Sequence, residues 1–362
     1  MPRHLLRALA AVALLATAAC SSDESSGDEA RTAPTTTTTR RPPTVKTIAR
    51  IDAQDVSFID LFGERVTWTS AATLGQLHDR AMVHDLRTGK TTIAAKADRN
   101  TAIEWSRGSR DTLVFTEQGY EGTGAESTPT GSWRVVMLDL VSGKRQVLDQ
   151  SRGASDQMEN ATVEIDWPWV VWIRPSTSAE HFDLVALNVE TGKRATAAAN
   201  VDVSSLHVVD NAAVYVATSA QGSDLFAVDL PDGAARQLTT SGQVSRAGKA
   251  GGDQIGYEEP LSGDPTRLLV VPVKGGRPIE VRGERTAGNI VTGAGFAMWF
   301  SGTGTAVELS AIAEHAPAAT VLPKSYSVAA RLSADGNRAA WGERTGDIND
   351  IWSATLYVAE VT

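Results

Sequence analysis

A chain of 362 residues with a formal net charge of −9 has room for one large domain or two ordinary ones, and offers no basic patch to nucleic acid or anionic lipid headgroups. Its one cysteine excludes internal disulfides, so stability must come from the core itself.

The chain begins "MPRHLLRALAAVALLATAAC". Arg3 and Arg7 give a basic start, Leu5 to Ala16 an apolar run and Thr17-Ala18-Ala19 a small-residue cleavage region. Residues 1–19 therefore read as a secretory signal, too short to serve as a spanning helix. Cys20 follows directly, as in a bacterial lipobox, although Thr17 stands where leucine is usual. The expectation is a lipoprotein acylated at Cys20, extracytoplasmic and attached to the cell membrane through the lipid anchor only. Residues 20–44 are rich in Ser, Thr and Pro and too poor in apolar groups to offset the entropy of ordering, so they read as a flexible linker. The five-threonine run from Thr35 to Thr39 is a candidate for glycosylation. Arginine greatly outnumbers lysine and alanine is common, the composition of a GC-rich, actinobacterial genome.

From residue 45 onward a repeat takes over. Seven short apolar strands carry an aromatic marker: Trp68, Phe115, Trp172, Tyr215, Tyr257, Trp299 and Trp341, spaced by 47, 57, 43, 42, 42 and 42 residues. After the marker comes a hairpin: "AMVHDLRTGKTTIA" from Ala81, "VVMLDLVSGKRQVL" from Val135, "LVALNVETGKRATA" from Leu184, "LFAVDLPDGAARQL" from Leu225 and "LLVVPVKGGRPIEV" from Leu268, with a degenerate copy from Val307. Gly89, Gly143, Gly192, Gly233 and Gly275 supply a residue able to take positive φ at the turn. Before each marker lies one more strand, as in "TAIEW", "TVEIDW", "SSLHVV" and "GQVSRAG". Four strands in about 42 residues is the period of a propeller blade. The expected fold is all-β, a seven-bladed β-propeller over residues 45–362. The last blade has only three strands of its own, and Val45–Ile51 is expected to complete it by pairing with Thr355–Val361, which removes an exposed sheet edge.

The runs "IEWSRGSRDTLVF" (Ile103 to Phe115) and "ARLSADGNRAAWGE" (Ala330 to Glu343), with the hairpins that follow such runs, resemble TolB-type propeller repeats. The Asp-Gly turn of those repeats is kept in the last unit and degraded elsewhere, as "FGER", "RGSR" and "VDNA". The resemblance covers roughly residues 47 to 362 and implies a propeller. Proteins of that type mostly bind other proteins in the envelope, and similar propellers gate peptidases, so the resemblance itself transfers no activity.

Longer connections carry the site expectation. "TEQGYEGTGAESTPTGSW" (Thr116 to Trp133) reads as the longest loop, and "DQSRGASDQMENAT", "TSAATLGQLHDR" and "GERTGDINDIWSA" are elaborated too. They belong to blades 7, 1, 2 and 3, on the face opposite the short Gly turns. The candidate partner-binding patch is Tyr120, Glu121, Glu126, Glu159, Asp347, Asp350 and Trp352, acidic with aromatic platforms. It suits an envelope protein or a cell-wall glycan. A monomer is expected. No cofactor or metal motif appears: the histidines are scattered, and "DIND" at 347–350 lacks the alternation and glycine of a calcium loop. No nucleophile elbow appears either. Glu104, Glu164 and Asp166, on first strands, keep a second reading open, a carbohydrate-active hydrolase or lyase using two carboxylates at a channel mouth.

Overall fold

The computed structural model describes residues 43–72, 76–122, 127–153, 158, 161–176, 181–261, 266–281, 286–301, 306–313, 320–327, 332–344 and 353–362. Cys20, the linker up to residue 42 and the site candidates Glu126, Glu159, Asp347, Asp350 and Trp352 lie outside them. Among the described residues every regular element is a β-strand. No helix among them is long and apolar enough to cross a membrane.

The chain enters on β1 (Val45–Gln54). A first four-stranded sheet follows: β2 (Ser57–Phe62), β3 (Arg65–Ser70), β4 (Arg80–Asp85) and β5 (Lys90–Lys96). The second holds β6 (Thr101–Ser109), β7 (Thr112–Glu121), β8 (Thr128–Asp139) and β9 (Arg145–Gln150). Next come β10 (Val163–Asp166), β11 (Trp169–Pro175), β12 (Phe182–Asn188), β13 (Arg194–Val209), β14 (Ala212–Ser219), β15 (Gly222–Asp229) and β16 (Ala235–Gln237), hydrogen-bonded as one seven-stranded sheet. Two further four-stranded sheets are β17 (Arg246–Ala247), β18 (Gln254–Pro260), β19 (Thr266–Pro272), β20 (Ile279–Val281), and β21 (Thr286–Gly293), β22 (Phe296–Ser301), β23 (Ala306–Ala313), β24 (Thr320–Ser327). The last sheet is β25 (Ser333–Asp335), β26 (Arg338–Arg344) and β27 (Ser353–Val361), with β1 as its fourth strand. β1 runs antiparallel to β27, in a register from Val45 opposite Val361 to Gln54 opposite Ser353, with one bulge between Thr47 and Ala49.

Burial runs in one direction across the sheets. In the first sheet β2 and β3 are almost wholly covered, whereas β5 is mostly exposed. The aromatic markers fall on the second strand of each unit and face the gaps between sheets. Trp68, Phe115, Trp172, Tyr215, Tyr257, Trp299 and Trp341 are each no more than 2% exposed, so the marker is a core position. Such an aromatic removes enough apolar area from water to contribute roughly 3 kcal/mol. Gly89 and Gly143 take φ of 68° and 71° in the outer hairpins, as a tight turn requires. Gly233 departs from that expectation: it is needed because a Cβ there would lie 2.7 Å from the Asp229 carbonyl oxygen.

Three segments differ from the sequence reading. β7 and β8 run on to Glu121 and Thr128 as one long hairpin, so much of the stretch read as the longest loop is paired strand, with Tyr120 opposite Pro129. The repeat unit's period hid this, because the extra pairs lie beyond the apolar core. β13 is one continuous strand that pairs with β12 through Val201 and with β14 from Asp202, where two strands were expected. Neither glycine nor proline interrupts "RATAAANVDVSSLHVV", and the passage from one partner to the other is marked by Asn200 at φ 55°. Finally, "GQVSRAG" forms a strand of only two residues, Arg246–Ala247.

Candidate functional site

The site is built from the innermost strands. In each sheet a first-strand residue lies opposite the residue just before the aromatic marker: Asp60 faces Thr67, Arg107 faces Val114, Glu164 faces Val171, His207 faces Val214, Val291 faces Met298 and Ser333 faces Ala340. In the β17–β20 sheet the equivalent residue is Gly248, whose N–H donates to the Gly256 carbonyl. Five of these seven positions are polar or charged, and all five are buried. A buried charge without a partner is costly, so these groups must satisfy one another.

They do so between sheets. Arg107 Nε donates to Glu164 Oε1 at 2.9 Å. Asp60 accepts from Ser333 Oγ at 3.0 Å and from the Gly108 N–H at 2.9 Å. Lys249 reaches across from the fifth unit to form an ion pair with Asp60 in the first, and its Nζ also donates to the Leu61 carbonyl at 2.9 Å. His207 Nε2 lies 3.1 Å from the Ala247 carbonyl, which can only accept, so the neutral ring carries its proton on Nε2. Burial, helped by Arg107, Lys249 and Arg246, pulls the His207 pKa down to about 3. Burial pushes the Glu164 carboxyl up, an effect Arg107 opposes and Asp60 reinforces. At Arg107 burial works against the charge, but Glu164 and Asp60 prevail and hold its pKa above the ordinary value.

Lys249 can cross because the run Gly248-Lys249-Ala250-Gly251-Gly252 leaves its sheet and lies over neighbouring backbone. A Cβ on Gly248 would sit 1.5 Å from the Ile290 carbonyl oxygen, and one on Gly251 2.9 Å from that of Ala334. Only glycine allows that approach.

These buried groups form a belt across the innermost strands, with a narrow cavity mouth on one side of it and a wide one on the other. The narrow mouth, about 50 Å³, is lined by six first-strand regions, among them Trp105, Arg107, His207, Arg246 and Asn289. The wide mouth, about 590 Å³, is lined by Arg110, Asp166, Asp210, Lys249, Asp253 and Asp335. Burial raises the Asp166 pKa, and Asp335 and Asp210 add to the rise. The wide mouth lies on the short-turn face, away from the long connections that carry the sequence expectation.

Of the candidate patch, Tyr120 and Glu121 are described. They close the paired part of the β7–β8 hairpin, and the Tyr120 hydroxyl donates to Glu104 Oε1 at 2.9 Å. Next to Glu104 sits His78, whose Nε2 is 3.2 Å from Asp55 Oδ1. Burial alone would lower the His78 pKa, but the Asp55 hydrogen bond and the charges of Asp55, Glu104 and Asp79 raise it. The three first-strand acids do not converge. Glu164 belongs to the belt, Asp166 lies beyond it on the wide side and Glu104 before it on the narrow side. Glu104 stands three residues before the belt position on β6, across a bulge, and Asp166 two residues after it on β10. Lys249, Arg246, Asn289 and Trp105 escaped the sequence reading. The one signal was a lysine inside the glycine run "RAGKAGG".

No protein-family model matches the sequence, and no curated protein matches it. Solved structures do match, at the level of fold. The β-propeller domain of the Trilobed protease from Pyrococcus furiosus superposes with a TM-score of 0.58 at 10% identity, over 84% of this chain and 93% of that one. Oligogalacturonate lyase in complex with manganese matches with a TM-score of 0.58 at 11% identity, over 86% and 92%. A prolyl endopeptidase matches with a TM-score of 0.56 at 12% identity, over 88% of this chain and 51% of its own. TolB from Acinetobacter baumannii is also among the matches, with a TM-score of 0.47 at 11% identity, over 86% and 65%. The chain thus spans about two thirds of that TolB and about half of that endopeptidase.

Proposed function

We propose that this chain, which has the fold of a β-propeller, is a non-catalytic binding scaffold: an extracytoplasmic lipoprotein, tethered through Cys20 and the 20–44 linker, that holds an envelope protein or a cell-wall glycan on its long-loop face. In this reading the ring has seven blades, the seven-stranded sheet counting as two that share β13, and β1 closes it as the outer strand of the last blade. Contacts between the last and first sheets support closure: the Leu61 N–H donates to Ser333 Oγ at 3.0 Å, and Arg338 pairs with Glu64 at 2.8 Å.

One observation carries the scaffold reading. The acids nearest the axis are engaged by the protein itself, Asp60 by Lys249 and Glu164 by Arg107. Of the three first-strand acids, Glu164 is held by Arg107 and Glu104 accepts from the Tyr120 hydroxyl, so the pair of carboxylates that a glycosidase would draw from them is not at hand. The second reading, a carbohydrate-active hydrolase or lyase, draws on the likeness in fold to oligogalacturonate lyase. Oligogalacturonate is a polyanion, however, and the wide mouth presents Asp166, Asp210, Asp253 and Asp335 to any such chain.

Crosslinking in the native envelope tests the proposal. A specific macromolecular partner is expected with the wild type and should be lost with Tyr120→Ala and Trp352→Ala, while Cys20→Ala should release the protein from the membrane fraction. Turnover of cell-wall glycans by the pure protein would overturn the scaffold in favour of the enzyme.

A further inference from the structure

We propose that the narrow mouth is a binding site for a single carboxylate group, gripped by the Arg246 guanidinium. The lining contains three cations, Arg107, Arg246 and Lys249, and no carboxylate. Two of the cations are matched from behind, Arg107 by Glu164 and Lys249 by Asp60. Arg246 makes no ion pair among the described residues. Its Nη2 donates to the neutral Asn289 Oδ1 at 2.7 Å, and Asn289 is fixed in turn by its own N–H, which donates to Glu258 Oε1 at 2.7 Å. Arg246 is thus half-buried and aimed, and the carboxylate of its cross-strand neighbour Glu258 is turned to the Asn289 N–H, with no salt bridge to Arg246 among the described residues. A guanidinium in that condition gains most from a carboxylate, whose two oxygens match its parallel N–H groups.

Size and shape agree. About 50 Å³ admits one carboxylate but not a sugar ring. Trp105 gives the cavity an apolar wall for the carbon that bears the carboxylate. Its ring is held between Phe58, 5.0 Å away at 46°, and the Arg107 guanidinium at 5.1 Å. Two non-glycine residues here adopt left-handed backbone conformations, Phe58 at φ 49° and Asn289 at φ 66°. For a bulky residue such as phenylalanine that is uncommon, and strain of this kind gathers at binding sites. The nearby acid Glu104 does not line the cavity and accepts from Tyr120. The site does not depend on the long loops binding a partner.

Suitable probes are the tripeptide Ala-Ala-Ala with a free C-terminal carboxylate, its C-terminal amide, and acetate. Each is titrated into the full chain while the His207 ring and Trp105 indole resonances are followed by NMR. The free tripeptide should shift both resonances, and the amide should bind at least about tenfold more weakly. Arg246→Gln should lose a comparable factor, Arg246→Lys should keep part of the affinity, and Arg87→Gln should leave it unchanged. If Arg246→Gln does not fold, Asn289→Gly, which suits φ 66°, should still weaken binding because it releases the guanidinium. A tripeptide tighter than acetate points to a peptide C terminus, and equal affinity to a small acid; both support the site. Equal binding of acid and amide, displacement by chloride at the same concentration, unchanged affinity in Arg246→Gln, or no shift with any probe would overturn it.

Discussion

His207 shows what burial does to a titratable side chain, and its consequence can be measured. In the folded protein the ring stays neutral down to about pH 3, against an ordinary value of 6.5. Between those limits the unfolded chain binds a proton that the folded chain refuses. His207 therefore makes stability fall as pH drops through that window, by up to about 1.4 kcal/mol per pH unit. Glu164 acts with the opposite sign: its raised pKa lets the folded state keep a proton longer, so its contribution declines as pH rises through the carboxyl range. Urea midpoints of the wild type should decline more steeply between about pH 6.5 and pH 4.5 than those of His207→Gln, where only the histidine's share is gone. Parallel declines would mean that His207 is not held neutral by its burial.

At the scale of the element, β1 and the glycine run after β17 make contrasting demands. β1 supplies nine register pairs to β27 and places Ile51 in the core cluster with Leu61, Trp68, Leu356 and Val358. Deleting residues 45–51 removes most of that ladder and bares an apolar edge, so a loss of at least about 5 kcal/mol is expected. An unchanged thermal midpoint would count against closure by β1. Gly248 and Gly143 make a paired test. At Gly143 nothing lies within 4 Å of an added Cβ, so Gly143→Ala costs only the φ penalty, about 1 kcal/mol. At Gly248 the added Cβ meets a backbone carbonyl, and Gly248→Ala should cost at least about 3 kcal/mol and disturb the Lys249 crossing. Chemical denaturation of both variants checks the difference. The sequence announces β1 and the turn glycines, because lone apolar strands and tight turns leave local patterns. It does not announce Gly248, whose reason is a carbonyl in another sheet.

For the whole molecule the same division holds. The seven aromatic markers are legible because each sheet must bury its second strand against a neighbour, which repeats an apolar residue at a near-constant period. The belt is not legible. Asp60, Arg107, Glu164, His207 and Ser333 share a structural position but no chemistry, and each becomes meaningful only beside its neighbour in space. The same limit applies to the two mouths, one lined by Arg107, Arg246 and Lys249 and the other by Asp166, Asp210, Asp253 and Asp335. All four acids lie at or beside the turns between first and second strands, intact at Asp335-Gly336 and degraded at the other three, where they read as ordinary turn residues.

The Lys249–Asp60 pair joins residues separated by 189 positions and by two intervening sheets in chain order, one of them seven-stranded. Such a contact forms only once distant parts of the chain have met, so it is expected to act as a latch fastened late in folding. Removing it should hasten opening while leaving the speed of refolding almost untouched. In stopped-flow chevrons Lys249→Met should raise the unfolding limb and leave the refolding limb in place, and time spent folded, more than folding itself, is what this lysine governs.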